Sequence, residues 1–186
     1  MSVEDSLKFE FRDVSHIDND LAQSIDGLDH LAFKDSQPVQ KNAPSKWSNP
    51  TWMIIGFVNN GTPDEQLVCQ LGLLKRNIRV GDMMLEVVGV GGVATHPDWQ
   101  RKGYAKQLLA FTENVLRQDL KCDFALLLCD GIPCLIYRKA GWIDVAKVII
   151  YREDDVRIPL ETNVMVFETS DRTFPEGEID VCGLPW

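Results

Sequence analysis

A chain of 186 residues, 45% hydrophobic and 25% charged, suffices for a single domain over 1–186 and has a globular composition, which excludes a disordered or fibrous protein. Its formal net charge of −9 repels phosphate backbones and favours cationic ligands, so nucleic acid is not an expected partner. No apolar run reaches the roughly 20 residues that span a bilayer, and Met1–Asp5 carries no signal-peptide features, so a cytoplasmic protein without a membrane partner is expected.

Leu7, Phe9 and Phe11 alternate with Lys8, Glu10 and Arg12, the period of a half-buried strand. After Ser15 or Asp18 as a cap, Leu21, Ile25, Leu28, Leu31 and Ala32 recur at helical spacing up to about Phe33. Pro38, Pro44 and Pro50 make 35–51 a loop. Trp52–Val58, Leu67–Leu74 and Met84–Thr95 then read as an antiparallel meander, with turns at Asn59–Pro63 and Val80–Asp82. Glycines at 89, 91 and 92 weaken the third strand unless something packs closely against it.

Tyr104–Asp119 carries Leu108, Leu109, Phe111, Val115 and Leu116 on one helical face. Phe124–Leu128 is an apolar run suited to a buried strand, and Ile132–Lys139 is a short helix closed by Gly141. Val145–Tyr151 and Val164–Phe167 add two strands, giving a mixed α/β chain with about seven strands. The five cysteines, Cys69, Cys122, Cys129, Cys134 and Cys182, contain no Cys-x-x-Cys pair, so reduced thiols are expected, with no disulfide framework and no metal site.

The stretch Val93-Ala94-Thr95-His96-Pro97-Asp98-Trp99-Gln100-Arg101-Lys102-Gly103-Tyr104-Ala105 links a strand to a helix through a proline turn and a glycine. Such a turn presents backbone N–H groups at the positive end of a helix dipole, which suits a pyrophosphate. It lacks both the phosphate-loop and the dinucleotide glycine patterns. Gln100, Gly103 and Ala105 instead resemble the Gln/Arg-x-x-Gly-x-Gly/Ala signature of the GNAT superfamily of N-acetyltransferases. Farther on, Leu135-Ile136-Tyr137-Arg138-Lys139-Ala140-Gly141-Trp142 resembles that family's second motif, a short helix with a tyrosine followed by Gly-Phe or Gly-Trp.

The resemblance implies a mostly antiparallel sheet flanked by helices, in which the strand bearing Val93 splays from that of Phe124–Leu128. It implies acetyl-CoA as co-substrate and no metal. Val93, Ala94 and Thr95 would line the pantetheine arm, while Gln100, Arg101, Lys102, Gly103, Tyr104, Ala105 and Lys106 would hold the pyrophosphate. Tyr137 would be the general acid that protonates the departing thiolate.

Family members often carry a glutamate base at places that fall on Gly89 or Gly91, so this chain departs from the pattern. Glu86 on the same strand is the substitute candidate, and His96 a lesser one. The end, Glu178 to Trp186, resembles that of aminoglycoside 2′-N-acetyltransferases, which implies Asp180 and Trp186, with a terminal carboxylate, at the acceptor site. The expected activity is direct acetyl transfer to a primary amine of a small cationic molecule, aminoglycoside- or polyamine-like. A non-catalytic acyl-CoA sensor and a protein amine acetyltransferase are the alternatives, and a homodimer is common for proteins of this resemblance.

Overall fold

The structure, a computed structural model, describes residues 7–34 and 42–186. The Met1–Asp5 segment and residues 35–41 of the expected loop lie outside the described residues. In chain order the elements are β1 (Lys8–Asp13), α1 (Asn19–Phe33), β2 (Trp52–Val58), β3 (Gln66–Val80), β4 (Met83–Thr95), α2 (Tyr104–Asn114), β5 (Phe124–Cys129), α3 (Pro133–Lys139), β6 (Ile143–Glu153), β7 (Val156–Glu168) and β8 (Ile179–Asp180). Asp18, not Ser15, caps α1, its carboxylate accepting from the Leu21 N–H at 2.9 Å. A π-helical turn at Val115–Asp119 extends α2.

The strands form one eight-stranded sheet in the order β1-β2-β3-β4-β5-β7-β6-β8. The β4–β5 and β6–β8 pairs are parallel and the others antiparallel. β8 also pairs with the end of β3, which closes β3, β4, β5, β7, β6 and β8 into a ring. This is the expected mixed α/β architecture with one strand more, contributed by the tail.

Both faces of the central strands are covered, which is why β5 reads as a continuous apolar run. Val88, Val90, Ala125 and Leu127 face α2 and α3, packing with Leu108, Leu109, Leu116 and Trp142. On the opposite face Leu28 of α1 lies with Met53, Ile55, Phe57, Leu67 and Ala94. Farther along that face Leu85, Val87, Phe124 and Leu126 enclose Trp186. The glycines of β4 are explained here. A Cβ on Gly89 would stand 2.2 Å from the Trp186 ring, and one on Gly91 2.8 Å from its main-chain carbonyl carbon. The tail therefore occupies the space of two side chains.

Two strands differ from expectation. β3 runs on past Leu74 to Val80, because Ile78 and Val80 alternate with polar Asn77 and Arg79 along the first half of β4. β7 begins at Val156 instead of Val164, after a tight turn in which Asp154 and Asp155 both take positive φ, 50° and 63°. Pro159 sits in this added stretch, where β6 is the strand neighbour of β7 among the described residues, an edge position that tolerates a residue without an N–H.

Finally, a disulfide joins Cys129 and Cys134, whose Cα atoms are 5.9 Å apart, correcting the expectation of reduced thiols. The turn from β5 into α3 brings this pair together at a spacing that no short motif marks. Cys69, Cys122 and Cys182 are free.

Candidate active site

The parallel pairing of β4 with β5 is short. Val88, Gly89 and Val90 lie beside Ala125, Leu126 and Leu127. Beyond them Gly91, Ala94 and Thr95 pair only with β3, while Leu128 and Cys129 pair only with β7. The two strands thus part at Gly91, as the sequence led us to expect. A β-bulge sits at the parting, where register jumps from Gly72 opposite Gly91 to Gln70 opposite Ala94. Gly92 supplies the positive φ of 58° that the bulge needs. Because the bulge resets alternation, Gly91 and Ala94 face the same side of the sheet, toward Trp186 and α1 respectively.

The gap leads to the turn before α2. Pro97–Trp99 forms a 3₁₀ turn, capped by the His96 ring accepting from the Asp98 N–H at 3.3 Å. His96 therefore serves the turn, and its own N–H donates to Val68 O at 2.8 Å. Gln100 donates its side-chain amide to Thr95 O at 3.2 Å, tying the turn back to the strand end. Arg101 and Gly103 take positive φ of 63° and 84°.

Gly103 is the N-cap of α2 and makes no side-chain cap bond; the first intrahelical bond is Gln107 N–H to Gly103 O at 3.1 Å. The N–H groups of Ala105 and Lys106 precede that ladder, at the positive end of an eleven-residue helix. A Cβ on Gly103 would meet nothing within 4 Å, so the turn is open outside.

Exposed Arg101, Lys102 and Lys106 surround the helix start, a local cationic spot on a chain of net charge −9. Lys102 Nζ lies 3.9 Å from the centre of the Trp99 ring, which stacks on Tyr104 at 5.8 Å. Buried Tyr104 and Ala94 can offer a ligand only their backbone.

Tyr137 lies in α3 with its ring edge-on to Trp142 at 6.2 Å and buried in the core cluster shared with α2. No hydrogen-bond partner for its hydroxyl is present among the described residues, and burial pushes its pKa up to about 12. The Cys129–Cys134 disulfide joins the end of β5 to the first turn of α3, just before Tyr137. Asp130, in the loop between, accepts from the Asn163 N–H and side-chain amide, both at 3.3 Å. The gap, the helix start and the tyrosine-bearing helix thus share one end of the sheet.

Two expected site residues are engaged elsewhere. Glu86 lies on the closed side of the β4–β5 pair, five residues before Gly91 and so roughly 16 Å of strand from the opening. Its carboxylate pairs with Lys75 at 2.7 Å, a position that does not serve a base at the gap. Asp180 is 3% exposed at its side chain and ion-pairs with Arg152 at 2.9 Å and Arg157 at 3.3 Å, and it also accepts the Cys182 N–H at 2.8 Å. Burial would raise its pKa, but the two arginines and the N–H outweigh that and lower it. So occupied, it is a strut between β8, β6 and β7, its charge already met by two arginines.

Trp186 lies on the other side of the sheet from Tyr137, its indole N–H donating to Leu126 O at 3.2 Å. Arg76 lies over its ring at 5.7 Å and donates to Leu184 O at 2.5 Å, while the Ser48 N–H donates to Pro185 O at 2.6 Å.

Two features escaped the sequence reading. One is the disulfide. The other is a pair under α1, where Gln70 of β3, 1% exposed, donates its amide to Ile25 O at 3.2 Å and to the Asp29 carboxylate at 2.8 Å. The signal was present, since Asp29 interrupts the Ile25, Leu28, Ala32 stripe on which α1 packs.

Among the described residues no group of three His, Cys, Asp or Glu could hold a metal ion, and no helix is long and apolar enough to cross a membrane. A family model described as an acetyltransferase (GNAT) domain matches residues 13–143. No curated protein sequence matches the chain.

Among solved structures, Escherichia coli ElaA is 18% identical with a TM-score of 0.60, covering 88% of this chain and 100% of its own. The E. coli GNAT family N-acetyltransferase YhbS, in complex with CoA, is 17% identical with a TM-score of 0.61, covering 97% of this chain and 96% of its own. A GNAT family acetyltransferase from Brucella melitensis, in complex with acetyl-CoA, is 16% identical with a TM-score of 0.58, covering 92% and 94%. At such identities the likeness is one of fold, over nearly the whole length of both chains. With the family model spanning the strand, gap, turn and tyrosine helix, the chain belongs to the acetyltransferase (GNAT) domain family.

Proposed function

We propose that this protein binds acetyl-CoA and transfers its acetyl group directly to a primary amine of a small cationic molecule. One observation carries the reading: the parting of β4 from β5 at Gly91 opens toward an uncapped helix start flanked by Arg101, Lys102 and Lys106. A pyrophosphate suits that start, with the N–H groups of Ala105 and Lys106 and the helix dipole as its partners. The pantetheine arm suits the gap, where the edges of Val93 and Thr95 lack a strand neighbour on the β5 side among the described residues. The complexes of YhbS with CoA and of the Brucella relative with acetyl-CoA support the choice of cofactor.

Transfer requires a neutral amine, which attacks the thioester carbonyl; the tetrahedral intermediate then collapses with release of the thiolate. Tyr137 is the general acid, keeping its proton because burial raises its pKa to about 12. A thiolate leaving in the same dry surroundings is likewise more basic than in water, so the same burial favours proton transfer to it. Neither Gly89 nor Gly91 bears a base and Glu86 is distant, so the amine proton passes to solvent through water.

A second reading, a non-catalytic acyl-CoA-binding module, draws on Trp186 filling the space above those glycines. Thiol release from acetyl-CoA, measured with a panel of amines including aminoglycosides, polyamines and a lysine peptide, separates the two. Amine-dependent release with cationic small molecules preferred is expected. Tight acetyl-CoA binding without amine-dependent release would overturn the enzymatic reading.

A further inference from the structure

On the sheet face opposite α2, the parting of β4 and β5 is flanked by α1 on one side and by Trp186 on the other. On the sheet-facing side of α1 lies Asp29, half-buried, with Asp26 one turn away on the same helix and no cation within ion-pair distance among the described residues. A carboxylate withdrawn from water without a counter-ion is costly, and here its surroundings add repulsion instead of relief.

Its side-chain partner among the described residues is Gln70, 1% exposed, whose amide N–H groups are both spent, on Asp29 and on Ile25 O. Those two contacts are both acceptors, which fixes the amide orientation and leaves Gln70 Oε1 buried without a donor among the described residues. The Gln70–Asp29 pair is therefore short of positive charge and of hydrogen-bond donors, both of which an ammonium group supplies. Gln70 lies opposite Ala94, three residues or roughly 10 Å of strand from Gly91.

We infer that Asp29, held by Gln70, anchors an ammonium group of the acceptor, so that the substrate carries at least two amino groups, one bound as a cation and the other reaching the gap to be acetylated. This rests on the amine-acetylation reading and narrows its substrates to diamines and larger polyamines. A monoamine can fill only one of the two places. Desolvation together with Asp26 raises the Asp29 pKa, against which the Gln70 bond works, in keeping with a carboxylate that awaits a cation.

The test uses the full chain saturated with acetyl-CoA and two probes, 1,6-diaminohexane and hexylamine. The wild type should show a kcat/KM for the diamine about tenfold or more above that for the monoamine. Asp29→Asn should raise the diamine KM about tenfold, leave kcat and the acetyl-CoA KM within about twofold, and abolish the preference; Asp29→Glu should restore part of it. The Asp29→Asn thermal midpoint at neutral pH should be unchanged or higher, because an uncompensated charge is gone.

An unchanged diamine KM, or a lowered midpoint with both KM values rising together, would overturn the anchor. If neither probe is acetylated, the enzymatic reading is decided by the wider amine panel, and the anchor is read separately from calorimetric titration of 1,6-diaminohexane into the acetyl-CoA-loaded protein. Binding that Asp29→Asn removes would sustain it, and no binding to the wild type would refute it.

Discussion

Tyr137 and Asp180 are two buried titratable groups with opposite tasks. Tyr137 lies against Trp142 with its hydroxyl unbonded among the described residues. Its folded pKa, about 12, lies above the ordinary value near 10, so the protonated form persists through the physiological range and is lost only as pH rises through about 12. Accordingly, Tyr137→Phe should lower kcat by about 10²-fold with the acetyl-CoA KM within about threefold. The wild-type pH–rate profile should show no descending limb below about pH 10. Steady-state kinetics across pH check both, and unchanged turnover in the Phe variant would remove the residue from the mechanism.

Asp180 has a lowered folded pKa, so the stability it contributes is present above the unfolded value of about 3.9 and is lost as pH falls through the folded one. Asp180→Asn should therefore cost about 1–3 kcal/mol near neutral pH, moderated because Arg152 and Arg157 are partly exposed, and progressively less in acid. Urea unfolding at neutral and acidic pH reads the difference.

Among the elements, the turn into α2 and the glycine stretch of β4 owe their shapes to different causes. Gly103 has φ of 84° with open space around it, so Gly103→Ala meets no clash and only the left-handed cost of about 1–2 kcal/mol. It should weaken acetyl-CoA binding about tenfold in calorimetry and lower the thermal midpoint by a few degrees. Gly89 is the reverse case. Its backbone is ordinary, but a Cβ there runs into the Trp186 ring, so Gly89→Ala should destabilise the fold by about 1–3 kcal/mol and lower the thermal midpoint.

These cases mark what was legible in the sequence. α1, α2, α3 and the Gln100–Ala105 turn rest on local periodicity, caps and φ requirements, which a short window contains. The glycines of β4 announced a close neighbour, but its identity lay almost a hundred residues away in the tail. The later half of β3, the early half of β7 and all of β8 depend on partners distant in sequence. The Cys129–Cys134 disulfide and the Gln70–Asp29 contact arise only when separate elements are brought together.

At the scale of the whole molecule, the sheet divides the work between its faces. One carries α2 and α3, with the cationic turn and Tyr137; the other carries α1, which bears Asp29, and the Trp186 tail. The parting of β4 from β5 lies between the two faces, and on the proposed reading the thioester enters from one side and the amine from the other. The tail, clamped by Arg76 and Ser48, takes the space that side chains at Gly89 and Gly91 would need. That face of the parting is thereby bounded by Trp186 instead of by a β4 carboxylate.

A crystal structure of the protein soaked with acetyl-CoA tests the central claim most directly. The account predicts the pyrophosphate within hydrogen-bonding distance of the N–H groups at Gly103 to Lys106, the pantetheine arm between β4 and β5, and the thioester sulfur beside the Tyr137 hydroxyl. A coenzyme bound elsewhere on the molecule, or one whose thioester lies away from Tyr137, would contradict it.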